Sequence, residues 1–193
     1  MEKLKSALAF AGILSSADIE ILVDLFKYRK LKSEEHIEDF GKLSHEIVFV
    51  CSGVLRAYSI DGNRNEVTKY FIKENQFFAN LESHYSSQPS TVAIQCVVAS
   101  EVYTIPFSLF EKQFERFPNL FIFFKSVTES TLLNKIKDND FLNFGDSKTK
   151  YMEFLLRYKV LAQTVPQKYI ASYLKITPQS LSRIRNEVAK GGK

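Results

Sequence analysis

The residues best suited to chemistry lie between Thr164 and Val188, in the stretch TVPQKYIASYLKITPQSLSRIRNEV. Thr164 and Gln167 have the spacing of a capping box, and Pro166 is tolerated in a first helical turn. Ile170, Ala171 and Leu174 form the inner face of a very short helix. Ile176 leads to a second start signal, Thr177-Pro178, an N-cap followed by a first-turn proline. Leu181, Ile184 and Val188 line the inside of that second helix. Ala171 is small where two helices would cross closely, so the pattern is that of a helix-turn-helix. The outward positions of the second helix are Gln179, Ser180, Ser182, Arg183 and Asn186. Short hydrogen-bonding groups and an arginine suit base edges in a major groove. A plain helical hairpin with a polar outer face is the alternative; spacing, capping and local charge together favour DNA. Lys175 stands where such turns often have glycine, and a left-handed lysine there costs on the order of 1 kcal/mol.

Charge supports the same end of the chain. The 193 residues carry 26 Lys+Arg and 22 Asp+Glu, a net +4. Residues 1–117 hold 13 basic and 16 acidic side chains, net −3; residues 118–145 hold three of each; residues 146–193 hold ten against three, net +7. A basic C-terminal quarter on a mildly acidic body points to a polyanionic partner for that quarter.

Other classes of function find little support. The longest apolar run, Leu120–Phe124, is five residues, against the ~20 of a membrane span, so no membrane partner is expected. MEKLKSALAFAGILSS is broken by polar residues and followed by Asp18 and Glu20, the pattern of a surface helix rather than a leader. Cys51 and Cys96 lie in apolar runs without CxxC spacing, as buried thiols do in a reducing cytoplasm, the expected location. His36, His45 and His84 are scattered, and no zinc-protease, P-loop, nucleophile-elbow or dinucleotide fingerprint occurs. No metal, cofactor or catalytic pair is expected, and binding rather than catalysis is the expected activity.

The elements that must position the C-terminal motif can be read in turn. With 45% hydrophobic residues the chain can bury a core. A helix is predicted over Ser15–Phe26 with Ser16 as N-cap. Strand-like runs follow at Ile47–Cys51, Val54–Ile60, Val67–Ile72, Val92–Val98 and Glu101–Ile105, with a hairpin at Asp61-Gly62-Asn63. Such spacing suggests a small antiparallel barrel or sandwich, interrupted by a short helix and loop over Asn80–Thr91. A second long helix is predicted from Pro118 towards Asn139. On it Leu120, Phe124, Val127 and Thr131 share one face, while Leu132, Leu133 and Ile136 share another. Two apolar faces imply two packing partners, the β domain and a second subunit, unless the helix lies inside one core. Asn143–Ser147 reads as a hinge and Lys148–Leu161 as a further helix. The division expected is residues 1–117, 118–145 and 146–193.

The phrase I-A-S-Y-L-x-I-T-P-Q-S-L-S-R-I-R, with the order of elements and the Val50–Tyr58 strand pair around Gly53, resembles the Crp/Fnr-type transcription regulators. The resemblance implies an α+β fold: an N-terminal antiparallel β-roll (a double-stranded β-helix, cyclic-nucleotide-binding-like), a long connecting helix, and a C-terminal helix-turn-helix domain. It implies a homodimer paired through the long helix, palindromic double-stranded DNA as partner, and RNA polymerase as a further one. The recognition helix falls at about Pro178–Val188. Gln179, Ser180 and Arg183 fall on family base-contact positions; Ser182 would meet base or phosphate; Lys168 and Thr177 would suit phosphates. Few residues follow Val188, so contact is expected to depend on the helix and its flanks rather than on a following strand hairpin.

The resemblance also locates an effector pocket, at Phe78, Glu82 and Ser90. Cyclic-nucleotide-binding members carry an early Gly-Glu and a later Arg-Ser/Thr-Ala, but here Phe78 and Ser90 fall at the glycine and arginine positions. No arginine occurs between Arg64 and Arg116. Positions that meet the base in those members become Lys135 and Ile136. The effector is therefore expected not to be cAMP. The cysteine cluster of the iron–sulfur sensors is absent from the sequence, and His45 and Cys51 are weak candidates for haem. The alternative function is a ligand-binding regulatory module whose helix-turn-helix contacts a protein.

Overall fold

The computed structural model describes residues 1–191. Two helices open the chain, α1 (Glu2–Leu8) and α2 (Ser16–Val23), joined through a tight 3-10 turn at Phe10–Gly12. Six strands follow: β1 (Lys27–Leu31), β2 (His36–Glu38), β3 (Glu46–Ile60), β4 (Glu66–Lys73), β5 (Phe77–Phe78) and β6 (Ala93–Pro106), with α3 (Leu81–Ser86) before the last. Helices α4 (Phe107–Arg116) and α5 (Pro118–Asn143) lead to α6 (Ser147–Arg157), α7 (Lys159–Thr164), α8 (Gln167–Tyr173) and α9 (Pro178–Gly191).

The strands form one antiparallel sheet in the order β1-β6-β3-β4, with β2 also on β6 and β5 also on β3. The expected runs Ile47–Cys51 and Val54–Ile60 are one strand of 15 residues, and the last two runs are one of 14. Ser52-Gly53 is therefore a bend inside a strand rather than a turn between two. The β3–β6 register slips between Val50 and Leu55, and such irregularities bend and twist a ladder, so each long strand serves both halves of the roll. Gly53 has φ +91, and Ser100 Oγ accepts the next amide, Val54 N–H, at 3.1 Å. The Asp61 hairpin forms as expected: its carboxylate accepts from the amides of Asn63 and Asn65 at 2.9 and 2.8 Å.

Three clusters of apolar side chains hold the molecule. Leu4 and Leu8 of α1 are fully buried with Leu22, Phe49, Ile105 and Leu120 at one end of the roll. Val50, Leu55, Ala57, Ile94 and Val102 fill the roll itself. Phe154, Ile170, Ala171, Leu174 and Leu181 make the third, which continues into Val54 and Val97 of the strands and Phe141 of α5. Four local expectations are corrected. Ser15, not Ser16, caps α2, its hydroxyl accepting the Asp18 amide at 3.1 Å. Helix α5 runs to Asn143 rather than Asn139, with Pro118 in its first turn as expected. Lys148–Leu161 is two helices, because Tyr158 leaves helical geometry (φ −133, ψ 45) as its hydroxyl reaches Asp138 on α5. Helix α8 is not capped by Thr164, which still belongs to α7 and donates back to the Val160 carbonyl at 2.9 Å.

Candidate nucleic-acid interface

Helices α8 and α9 cross over Ala171, which is fully buried with Ile170, Leu174 and Leu181. The turn between them closes through Ile176 N–H to the Ala171 carbonyl at 3.0 Å and Lys175 N–H to the Ser172 carbonyl at 3.2 Å. Lys175 adopts the left-handed conformation directly (φ +56), and its ammonium donates to Asn143 Oδ1 at 2.8 Å. Thr177 starts α9: its hydroxyl accepts the Ser180 amide at 3.1 Å and lies 2.9 Å from the Ser180 hydroxyl. That cap satisfies one of the orphan amides of a helix N-terminus.

Gln179, Ser182, Arg183 and Asn186 all stand exposed on one side of α9. Arg183 keeps 77% of its side chain exposed, and among the described residues its one ion pair is with Glu187, one turn on, at 3.9 Å. Ser180 is half-buried and engaged in the cap, so its hydroxyl is less free than its neighbours. Lys168 projects from α8 with its ammonium 4.0 Å from the Glu34 carboxylate. The structure thus gathers Gln179, Ser182 and Arg183 on an open surface, Thr177 and Ser180 at its start, and Lys168 to one side.

Sequence reasoning missed how α8 is held. Ser172 Oγ accepts the Thr68 amide and donates to the Glu66 carbonyl, both at 2.9 Å, pinning α8 to β4. The Tyr169 hydroxyl donates to Glu34. Between these two points lies Arg56, 1% exposed, its guanidinium over the rings of Tyr169 (3.8 Å) and Tyr58 (4.1 Å). It donates to Gln95 Oε1 through Nε at 2.9 Å and Nη2 at 2.6 Å and contacts Glu66. An arginine inside the apolar run Val54–Tyr58 was the available signal. Asp138 of α5 adds a third tie, meeting the hydroxyls of Tyr158 and Tyr173, whose phenol pKa values are pushed up chiefly by burial.

No family model and no curated protein matches the sequence. Solved structures match over nearly the full length. FixK2 from Bradyrhizobium japonicum is 18% identical with a TM-score of 0.72, covering 86% of each chain. The c-di-GMP responsive global regulator CLP of Xanthomonas campestris is 13% identical with a TM-score of 0.74, over 92% of this chain and 93% of its own. The catabolite activator protein of Thermus thermophilus is 17% identical with a TM-score of 0.58, over 96% and 88%. The fold is that of the Crp/Fnr-type regulators.

Within this Crp/Fnr-type fold the expected effector residues do not come together. Phe78 is buried, with its ring 6.3 Å from Tyr70. Ser90 is buried too, but Glu82 is exposed in the first turn of α3. Asn80, not Glu82, reaches Ser90: its amide donates to Ser90 Oγ and to Glu38 Oε1, both at 2.7 Å. The other Glu38 oxygen accepts from Ser44 Oγ at 2.9 Å, and Ser90 Oγ donates to the Val92 carbonyl at 2.6 Å. A carboxylate therefore stands in this network and its polar groups satisfy one another. Beside it a half-open cleft of about 1180 Å³ runs between β4, β5 and α5, lined by Tyr70, Phe77, Phe78, Phe123 and Lys135. The Lys135 ammonium sits 3.6 Å from the Tyr70 ring centre, and partial burial there lowers its pKa.

The two faces of α5 separate as expected as far as Val127, but Thr131, expected on the roll-facing side, is exposed. Leu120 is fully buried, and Phe124 and Val127 pack on the roll. Leu132, Leu133 and Ile136 are each more than half exposed. Among the described residues no helix is long and apolar enough to cross a membrane.

Proposed function

We propose that this chain is a homodimeric, sequence-specific DNA-binding transcription regulator that acts by binding and not by catalysis. The observation that carries it is the open face of α9, where Gln179, Ser182 and Arg183 project from a capped helix in the most basic segment of the chain, net +7 over residues 146–193. A helix entering the major groove reads base edges with such groups, and arginine pairs two-pronged with guanine. Lysines and arginines around it supply the salt-sensitive attraction to phosphates.

Pairing is assigned to α5, whose exposed Leu132, Leu133 and Ile136 form an apolar face suited to its own copy. Two readers related by a two-fold axis call for a palindromic site. Contact with RNA polymerase rests on the resemblance alone. The roll does not use cyclic-nucleotide chemistry in this reading, because Glu38 faces the place where a cyclic phosphate needs a cation, and like charges repel there.

A gel shift of the full chain against random-sequence duplexes, followed by recovery and sequencing of the bound fraction, tests the function. Enrichment of a palindrome supports it. Retention of no sequence above the starting pool would transfer the helix-turn-helix to a protein partner.

A further inference from the structure

Lys168 is the cation that α8 offers to a DNA backbone, and the roll has already set an anion against it. The Glu34 carboxylate lies 4.0 Å from the Lys168 ammonium, accepts the Tyr169 hydroxyl at 2.7 and 2.9 Å through its two oxygens, and accepts Gln95 Nε2 at 3.1 Å. Glu34 has φ +69, a left-handed conformation that a side chain with a Cβ disfavours. Strain of this kind persists only where the surroundings over-determine it. Here the Glu34 amide donates to the Cys96 carbonyl at 2.8 Å, and its own carbonyl accepts from Gln95 at 3.2 Å. Below it Arg56 is stacked on Tyr169 with one buried nitrogen, Nη1, lacking a partner among the described residues.

The chemistry of this contact is that of a phosphate contact. In a helix-turn-helix the first helix crosses the DNA backbone, and backbone phosphates are held by lysine ammoniums and tyrosine hydroxyls. Glu34 presents two anionic oxygens to one of each. We infer that Glu34 is an affinity-setting residue for DNA although it belongs to the roll: its carboxylate stands in for a backbone phosphate at Lys168 and Tyr169, and DNA must displace it. This rests on the DNA-binding function proposed above and adds to it a residue outside the reading helices. The competition is between two anions for one cation, so it is blind to sequence and acts alike on operator and random duplexes. The Lys168–Glu34 pair is largely exposed, 64% and 53%, which keeps the effect small.

The test is a titration of the full chain with a labelled random-sequence duplex at several salt concentrations. Glu34→Gln keeps the shape and an acceptor for Tyr169 while removing the charge. It is expected to bind roughly two- to five-fold more tightly. Glu34→Asn, which tolerates the left-handed backbone better, is expected to move binding the same way and guards against misfolding of the first variant. In a Lys168→Ala background the gain is expected to vanish, because the competition needs the lysine. Wild-type binding with unchanged or weaker binding by both folded Glu34 variants, or an equal gain without Lys168, would overturn the inference alone. Failure of the wild type and every variant to bind any duplex at low salt would overturn the DNA function and this inference together.

Discussion

Gly53 faces the carbonyl of Ala99 where β3 and β6 bend together, and the gap between them has no room for a side chain. A Cβ on Gly53 would lie 2.8 Å from that oxygen and 2.7 Å from the Ser100 Cβ, on a residue with φ +91. Backbone oxygen cannot swing aside as a flexible side chain can. Gly53→Ala is therefore expected to destabilise the chain by about 2–5 kcal/mol, from left-handed strain and overpacking together. Urea unfolding followed by far-UV circular dichroism measures it; a loss under about 0.5 kcal/mol would mean that the bend relaxes freely.

Ala171 is the corresponding tight point of the helix-turn-helix, fully buried at the crossing of α8 and α9. Ala171→Leu is expected to cost about 1–3 kcal/mol and to weaken DNA binding further than stability alone explains, by splaying α9 from α8. Thr177→Ala, which removes the cap on the Ser180 amide, is expected to cost about 1 kcal/mol with a smaller effect on binding. Thermal melts and gel shifts on the same samples separate the two effects.

The exposed stripe on α5 predicts the oligomeric state. Leu133→Glu and Ile136→Glu put charges into a face that is apolar and unpartnered within the chain, and each is expected to shift the protein from dimer to monomer in sedimentation equilibrium. Monomeric wild type at micromolar concentration would count against pairing through this face.

A pH dependence follows from the N-cap of α6. The Thr149 amide donates to Asp146 Oδ1 at 2.8 Å, and this bond holds the Asp146 carboxyl below its ordinary pKa of 3.8. A depressed folded-state pKa contributes stability that is fully present above the unfolded value and is lost as pH falls through the folded one. The stability difference between wild type and Asp146→Ala is therefore expected to be constant from pH 7 to about 5 and to shrink below the ordinary carboxylate pKa. Urea midpoints at each pH give the comparison. A difference that widens on acidification would contradict the cap.

The parts of this architecture legible in the sequence are those set by neighbours in the chain. Thr177-Pro178, the spacing of Ile170, Leu174, Leu181 and Ile184, and the Asp61 hairpin all depend on short-range geometry and read correctly. Gly53 misled because a glycine that permits a close crossing inside a strand looks like one that turns a loop. Strand β1 carries no apolar run of its own, because Lys27, Arg29 and Lys30 are charged and mostly solvent-facing, with only Leu31 buried. The break at Tyr158 carries no local signal; what accompanies it is a contact of its hydroxyl with Asp138, twenty residues away. The Tyr169–Glu34 contact joins residues 135 apart, and no periodicity reports such a pair. Asn80 and Glu38, rather than Glu82, make the network with Ser90, because α3 leaves Glu82 exposed.

Base reading by α9 is the central claim, and Arg183 is its sharpest point. The most direct measurement is selection from random duplexes by wild type and by Arg183→Ala, with affinities for the selected site and for random DNA. The wild type is expected to enrich a palindrome whose half-sites lie about 10 base pairs apart or a multiple of it. Arg183→Ala is expected to lose roughly 1–3 kcal/mol on that site, with little change on random DNA. Equal losses on both would make Arg183 a phosphate contact, and no enrichment by the wild type would contradict sequence reading altogether.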